Sequence, residues 1–224
     1  MTLAPAQLAP FIDHTLLKPG ATVRELDELC SQAVRFGFYG VCVNPSLVGH
    51  VSRRLAGESP VPVSVVGFPL GATLPAVKAF ETAQAVDLGA QEIDMVINLG
   101  AFKGGDHSLV AADVAAVVRA AQGFPVKTIL ETALLTEDEI VAACKICVDS
   151  GAFFVKTSTG FGPGGATVEA VRLMRRTVGD GVGVKASGGI STYEKALAMI
   201  EAGANRIGAS ASVSIVSAIN GDGF

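Results

Sequence analysis

The chain has 224 residues and a formal net charge of −4; half of it is hydrophobic and 17% is charged. That length suits one domain with a large core, and the apolar content argues against a disordered chain. Basic residues are scattered rather than clustered, which argues against a nucleic-acid or anionic-membrane partner, and no apolar run reaches the roughly 20 residues a bilayer span requires.

Met1–Pro10 lack the basic stretch and apolar core of a signal peptide, so a cytoplasmic location and a small-molecule partner are expected. From there, β-rich runs alternate with helical patterns along the whole chain. Strands are expected at Phe11–His14, Tyr39–Asn44, Pro62–Gly67, Glu92–Asn98, Val126–Glu131, Phe153–Ser158, Val182–Ala186 and Arg206–Gly208. Their apolar runs are nearly continuous, as in parallel strands buried on both faces. Helical periodicity fills the gaps, for example over Arg24–Phe36, Pro75–Leu88, Glu137–Asp149, Val168–Val178 and Tyr193–Ala202.

Thr22 with Glu25 and Thr136 with Glu139 have the spacing of capping boxes. Gly37, Gly57, Gly89, Gly123, Gly151, Gly179 and Gly203 stand where helices are expected to end in a left-handed residue. Gly-Ala leads into a strand at Gly89, Gly151 and Gly203, a faint repeat of one β/α unit. Eight such units without a linker predict an α/β fold, a single-domain (β/α)₈ TIM barrel over 1–224, rather than an open flavodoxin-like sheet. In that architecture chemistry sits at the C-terminal ends of the strands.

Two strands carry a lysine near that end, Lys156 in Val-Lys-Thr-Ser-Thr-Gly and Lys185 in Val-Lys-Ala-Ser-Gly-Gly. An ammonium in an apolar strand is costly unless it is paired or functional. One reading is a buried lysine tied to a carboxylate. The other is a nucleophilic amine, its pKa depressed by burial and by the second cation on the next strand. Lys127 sits deeper and is expected to be a supporting charge. Asp94, flanked by apolar residues, is expected to point into the barrel as an ion-pair partner, a proton carrier, or both. Asp13 and Thr15 are expected to end the first strand, either as a turn or as contacts for substrate hydroxyls.

Gly188-Gly189 after the seventh strand and Gly208 with Ser210 after the eighth fall where barrels bind phosphate through backbone N–H groups. The run Gly160–Gly165 lacks the ending of a P-loop and is expected to lie over the site. His14, His50 and His107 share no ligand spacing, so neither a metal nor a cofactor is expected. Cys144 and Cys147 form a CxxC with no second pair, which is expected to be two buried helical thiols.

Val155–Gly160, Glu92–Asn98 and Val184–Gly189, taken in order, closely resemble the signature segments of deoxyribose-phosphate aldolases. The likeness extends from Ile12-Asp13-His14-Thr15 to Arg206–Ser210. It implies a class I reaction in which 2-deoxy-D-ribose 5-phosphate is cleaved reversibly to D-glyceraldehyde 3-phosphate and acetaldehyde. By this resemblance Lys156 matches the Schiff-base lysine, Lys185 the lysine that keeps it reactive and Asp94 the acid of the proton relay. Asp13 and Thr15 match substrate contacts, while Thr159, Gly188, Gly189, Gly208 and Ser210 match the phosphate pocket. A homodimer is implied in the same way. The pattern is departed from at Phe161, where enteric members carry a lysine, at Ala211, where many members carry a serine, and at Phe224, where many end in tyrosine. Cys42 aligns with a cysteine near the pocket, although a buried strand thiol explains it equally. Two alternatives share these residues: a Schiff-base barrel lyase for another sugar phosphate, and an inactive sugar-phosphate-binding barrel.

Overall fold

A computed structural model describes residues 3–218. Eight parallel strands follow one another around a closed barrel: β1 (Ile12–Leu16), β2 (Gly40–Val43), β3 (Val61–Val66), β4 (Glu92–Val96), β5 (Val126–Ile129), β6 (Phe154–Lys156), β7 (Gly183–Ser187) and β8 (Arg206–Ala209). β8 pairs with β1, with Asp13 opposite Gly208, which completes the ring. Helices α1 (Val23–Phe36), α2 (Val48–Arg54), α3 (Pro75–Asp87), α4 (Leu99–Lys103), α5 (His107–Ala120), α6 (Glu137–Asp149), α7 (Val168–Val178), α8 (Tyr193–Glu201) and α9 (Ser212–Val216) lie between and after the strands. The predicted (β/α)₈ barrel is thus the observed fold.

Both capping boxes form: Thr22 N donates to Glu25 at 2.9 Å and Thr136 N to Glu139 at 2.8 Å. Gly37 ends α1 in the left-handed region, with φ 69° and ψ 37°. Gly179 differs from expectation, because its ψ of −167° takes it outside that region. β1 extends two residues beyond the predicted strand, since Thr15 and Leu16 find register partners in Cys42 and Val43.

The strands alternate more strictly than their hydropathy suggests. Ile12, Val41, Val43, Ile93, Met95, Val155, Val184, Ala186 and Ile207 face outward and join one large core beneath the helices. The inward face of β2 and β3 adds a small separate cluster of Cys42, Val63 and Val65. Charged side chains fill much of the remaining interior. A closed sheet lets outward residues be as buried as inward ones, so sequence hydropathy shows no period.

Cys144 and Cys147 are fully buried free thiols on α6, and burial pushes both pKa values up, to about 12 for Cys147. The three histidines make separate structural contacts. His14 bonds Ser212 and Gln32, His50 pairs with Asp27, and His107 stacks on Phe102.

Among the described residues, one fully buried ion pair lies outside the barrel wall. Lys78 of α3 donates to Asp113 of α5 at 2.5 Å and to the Val96 carbonyl at 2.9 Å, with both side chains buried. Burial drives the pair toward neutrality, lowering the Lys78 pKa and raising that of Asp113. Removing one partner leaves the other charge stranded, at a cost of about 3–5 kcal/mol, whereas removing both is far milder. Lys78→Met is therefore expected to reduce the urea-unfolding free energy by about that amount. Adding Asp113→Leu should recover most of it; a double variant as unstable as the single one would contradict this reading.

Candidate active site

The inward positions of six strands converge on one array of buried charge. Adjacent β6 and β7 bring Lys156 and Lys185 into direct register. Their amines donate to the same carboxylate oxygen, Asp94 Oδ2, each at 2.7 Å. The other oxygen of Asp94 accepts from Lys127 Nζ at 2.6 Å. Lys127 also lies 2.6 Å from Glu92 Oε2, while Lys185 is bonded to Asp13. Arg206 closes the array, donating to Asp13 Oδ1 and Glu92 Oε2, each at 2.9 Å.

Four cationic side chains thus share three carboxylates: Asp13, Glu92 and Asp94. In a medium where an unbalanced charge is expensive, one cation should give up its proton most readily. The geometry selects Lys156. Lys185 and Arg206 each hold two carboxylates, and Lys127 touches two closely, but Lys156 has one oxygen, shared with Lys185.

The pKa directions agree. Burial lowers the Lys156 pKa, Asp94 opposes the shift, and Lys185 adds to it. Burial also works against the ammoniums of Lys127 and Lys185, but the surrounding carboxylates more than offset it and keep both firmly protonated. Burial would raise Asp94, yet Lys127, Lys156 and Lys185 together hold it well below the usual carboxylate range. Cys42 of β2 faces this array, and burial pushes its thiol up to about 11.

Lys156 alone among these lysines opens onto a cavity of about 450 Å³ at the C-terminal mouth. Thr15, Thr159, Gly188, Gly189, Gly208 and Ser210 also line it. Ala166 N donates to the Ser187 and Gly188 carbonyls, each at 3.1 Å, tying the β6–α7 loop to the β7 loop. A Cβ on Gly165 would lie 2.2 Å from the Gly188 oxygen, so this close approach requires glycine.

Asp13 is placed differently from expectation, and Thr159 and Gly208 carry further contacts. Asp13 does not end its strand; it is the second residue of β1, with no exposure, ion-paired to Lys185 and Arg206. Thr159 lines the cavity, where its hydroxyl donates to Glu131 at 2.5 Å and accepts from Phe161 N at 3.0 Å. At Gly208 a Cβ would come within 3.1 Å of Lys185 Cε, so room for that lysine explains the glycine independently of any anion.

Glu92, Arg206, Glu131 and Lys18 are functional candidates that sequence reasoning missed. Glu92 and Arg206 lie two residues from Asp94 and Gly208, on the same strand faces, and period-two alternation was the available signal. Glu131 is buried two residues beyond β5 with a positive φ of 55°, unusual for a non-glycine residue and invisible in sequence. Lys18 brings a second basic side chain to the cavity lining and is paired with Glu25. Phe161 packs edge-on against Phe68 at the mouth, 5.3 Å between centroids, and Ala211 lines the cavity. Phe224 lies outside the described residues.

A closed parallel barrel with one inward lysine, Lys156, at a cavity in its C-terminal mouth has the site placement of (β/α)₈-barrel enzymes. Residues 8–218 match the DeoC/LacD family of aldolases, and the chain belongs to that family. It is 56% identical over 214 residues to a deoxyribose-phosphate aldolase of Thermococcus gammatolerans, covering 93% of this chain and 95% of that one. A deoxyribose-phosphate aldolase of Lysinibacillus sphaericus is 53% identical, with 96% of each chain covered. Among solved structures, the tetrameric deoxyribose phosphate aldolase of Aeropyrum pernix superposes with a TM-score of 0.89 at 32% identity, covering 95% of this chain and 91% of that one.

The site yields a prediction independent of substrate. Lys185→Leu removes a like charge and leaves Asp13 and Asp94 to favour the Lys156 ammonium. The pH at which cyanate begins to carbamoylate Lys156 should rise by about 1–3 units, followed by peptide mass spectrometry. An unchanged or lower midpoint would remove Lys185 from the explanation.

Proposed function

We propose that the chain is a class I aldolase that cleaves 2-deoxy-D-ribose 5-phosphate reversibly to D-glyceraldehyde 3-phosphate and acetaldehyde, through a Schiff base on Lys156. One observation carries the reading: of the lysines in the charge array, Lys156 alone both opens onto the cavity and has its ammonium disfavoured. A free lysine of pKa about 10.4 is almost entirely protonated at neutral pH, so such a depression is what a nucleophilic amine requires.

The neutral amine attacks the aldehyde carbon of the open-chain sugar, and loss of water gives a protonated imine. Its positive charge draws electrons from the bond between C2 and C3 as the C3 hydroxyl loses its proton. Glyceraldehyde 3-phosphate departs, and the remaining enamine takes a proton at C2. Hydrolysis then releases acetaldehyde and restores the amine. Asp94, held ionised, stabilises the iminium and accepts protons through water, while Lys185 keeps the local field positive before substrate arrives.

Lys156, Lys185 and Asp94 are the proposed catalytic set, with Thr15 at the sugar and Asp13 acting through Lys185. The phosphate is assigned to the loops of Gly188-Gly189 and Gly208–Ser210, with Lys18 and backbone donors replacing the lysine that Phe161 displaces. The proposed substrate is a soluble sugar phosphate and the proposed location cytoplasmic; no described helix is long and apolar enough to cross a membrane. Self-association, as a homodimer or larger assembly, is supported by the exposed Leu70 and Phe80, which line one surface groove.

The test is borohydride trapping with acetaldehyde at neutral pH, alongside an acetaldehyde-release assay on deoxyribose 5-phosphate. The wild type should carry its adduct on Lys156, and Lys156→Leu should lose both trapping and release by at least about 10³-fold. An adduct confined to Lys127 or Lys185 would overturn the assignment.

A further inference from the structure

Arg206 and Glu92 touch neither Lys156 nor the cavity, yet they complete the array. Arg206 is 5% exposed, its guanidinium carbon 3.3 Å from the centroid of the Tyr39 ring. Tyr39 in turn donates to Glu92 Oε1 at 3.1 Å, so both residues are fixed at the end of the array remote from the mouth. From there Arg206 reaches Asp13 and Glu92 reaches Lys127, the two groups that flank the Lys185–Asp94–Lys156 junction.

We propose that Arg206 and Glu92 are positioning residues for the nucleophile: acting through Asp13 and Lys127, they fix the net charge around Lys156 and thereby set the pH at which its amine becomes free. This rests on the reading of Lys156 as the nucleophile. Lys156 faces Asp94 from β4, Lys185 from β7 and the Cys42 thiol from β2, with Asp13 of β1 and Lys127 of β5 one ion pair further away. Arg206 faces Asp13, Glu92 and Tyr39, with the Phe154 ring 5.4 Å away.

Arg206 is the fourth cation, and its charge is what leaves the set one positive charge in excess. Without it three carboxylates balance three lysines, Asp13 turns wholly to Lys185, and the Lys156 ammonium is no longer the surplus charge. Without the charge of Glu92, two carboxylates face four cations and the pressure on Lys156 to lose its proton grows. A structural support would not produce opposite effects from two neighbouring residues.

The experiment measures the pH midpoint of Lys156 carbamoylation by cyanate in the full chain. Arg206→Gln should raise the midpoint and Glu92→Gln should lower it, each by about one unit, since both act through an intervening pair. The double variant loses the packing contacts of both yet restores the charge difference, so its midpoint should return close to wild type. Arg206→Lys, which keeps the charge, should also stay close to wild type. Shifts of the same sign in both single variants, no shift in either, or a double variant displaced as far as Arg206→Gln would overturn the proposal. Midpoints that move as expected while borohydride trapping never labels Lys156 would instead sink the nucleophile assignment and leave the charge coupling standing.

Discussion

A single carboxylate oxygen, Asp94 Oδ2, accepts from two lysines at once, and the rest of the site follows from that sharing. One oxygen cannot neutralise two ammoniums in a buried space. Lys185 has a second carboxylate in Asp13, so the deficit falls on Lys156. The arrangement of fixed charges, together with burial, thus disfavours the Lys156 ammonium, which is what the proposed nucleophile requires.

The barrel is what makes such an arrangement tolerable. Parallel strands in register bring inward side chains from β1, β4, β5, β6, β7 and β8 into one enclosed volume. Seven charged groups would be prohibitive there singly, yet each finds at least one partner. Glycines keep the space open, as at Gly208 beside Lys185 and Gly40 beside Asp13, where an added Cβ would lie about 3 Å from the charged side chain. The outward face meanwhile is apolar at most strand positions and packs into the core beneath the helices.

Much of this was legible in the sequence, for identifiable reasons. Near-continuous apolar strands, capping boxes at Thr22 and Thr136 and repeated Gly-Ala turns announced eight β/α units. Lys156 and Lys185 stood out because a lysine in an apolar strand demands an explanation. The deeper pairing was harder to see. Asp13 reads like a strand-end residue until Thr15 and Leu16 prove to pair with β2. Glu92 and Arg206 sit at strand starts, where charge is ordinarily solvent-exposed, and only barrel closure turns them inward. The Lys78–Asp113 pair joins α3 to α5 across 35 residues, a contact that no local pattern encodes.

Lys156 being the one barrel lysine that is readily deprotonated is the central claim, and NMR titration of the lysine Nζ groups in isotopically labelled protein tests it most directly. Assignments would come from Lys→Arg variants of positions 127, 156 and 185. The account predicts that, of the three lysines in the barrel array, Lys156 alone titrates below the ordinary lysine range, while Lys127 and Lys185 stay protonated to the highest accessible pH. An ordinary or elevated pKa for Lys156, or a depressed one at Lys127 or Lys185, would contradict it.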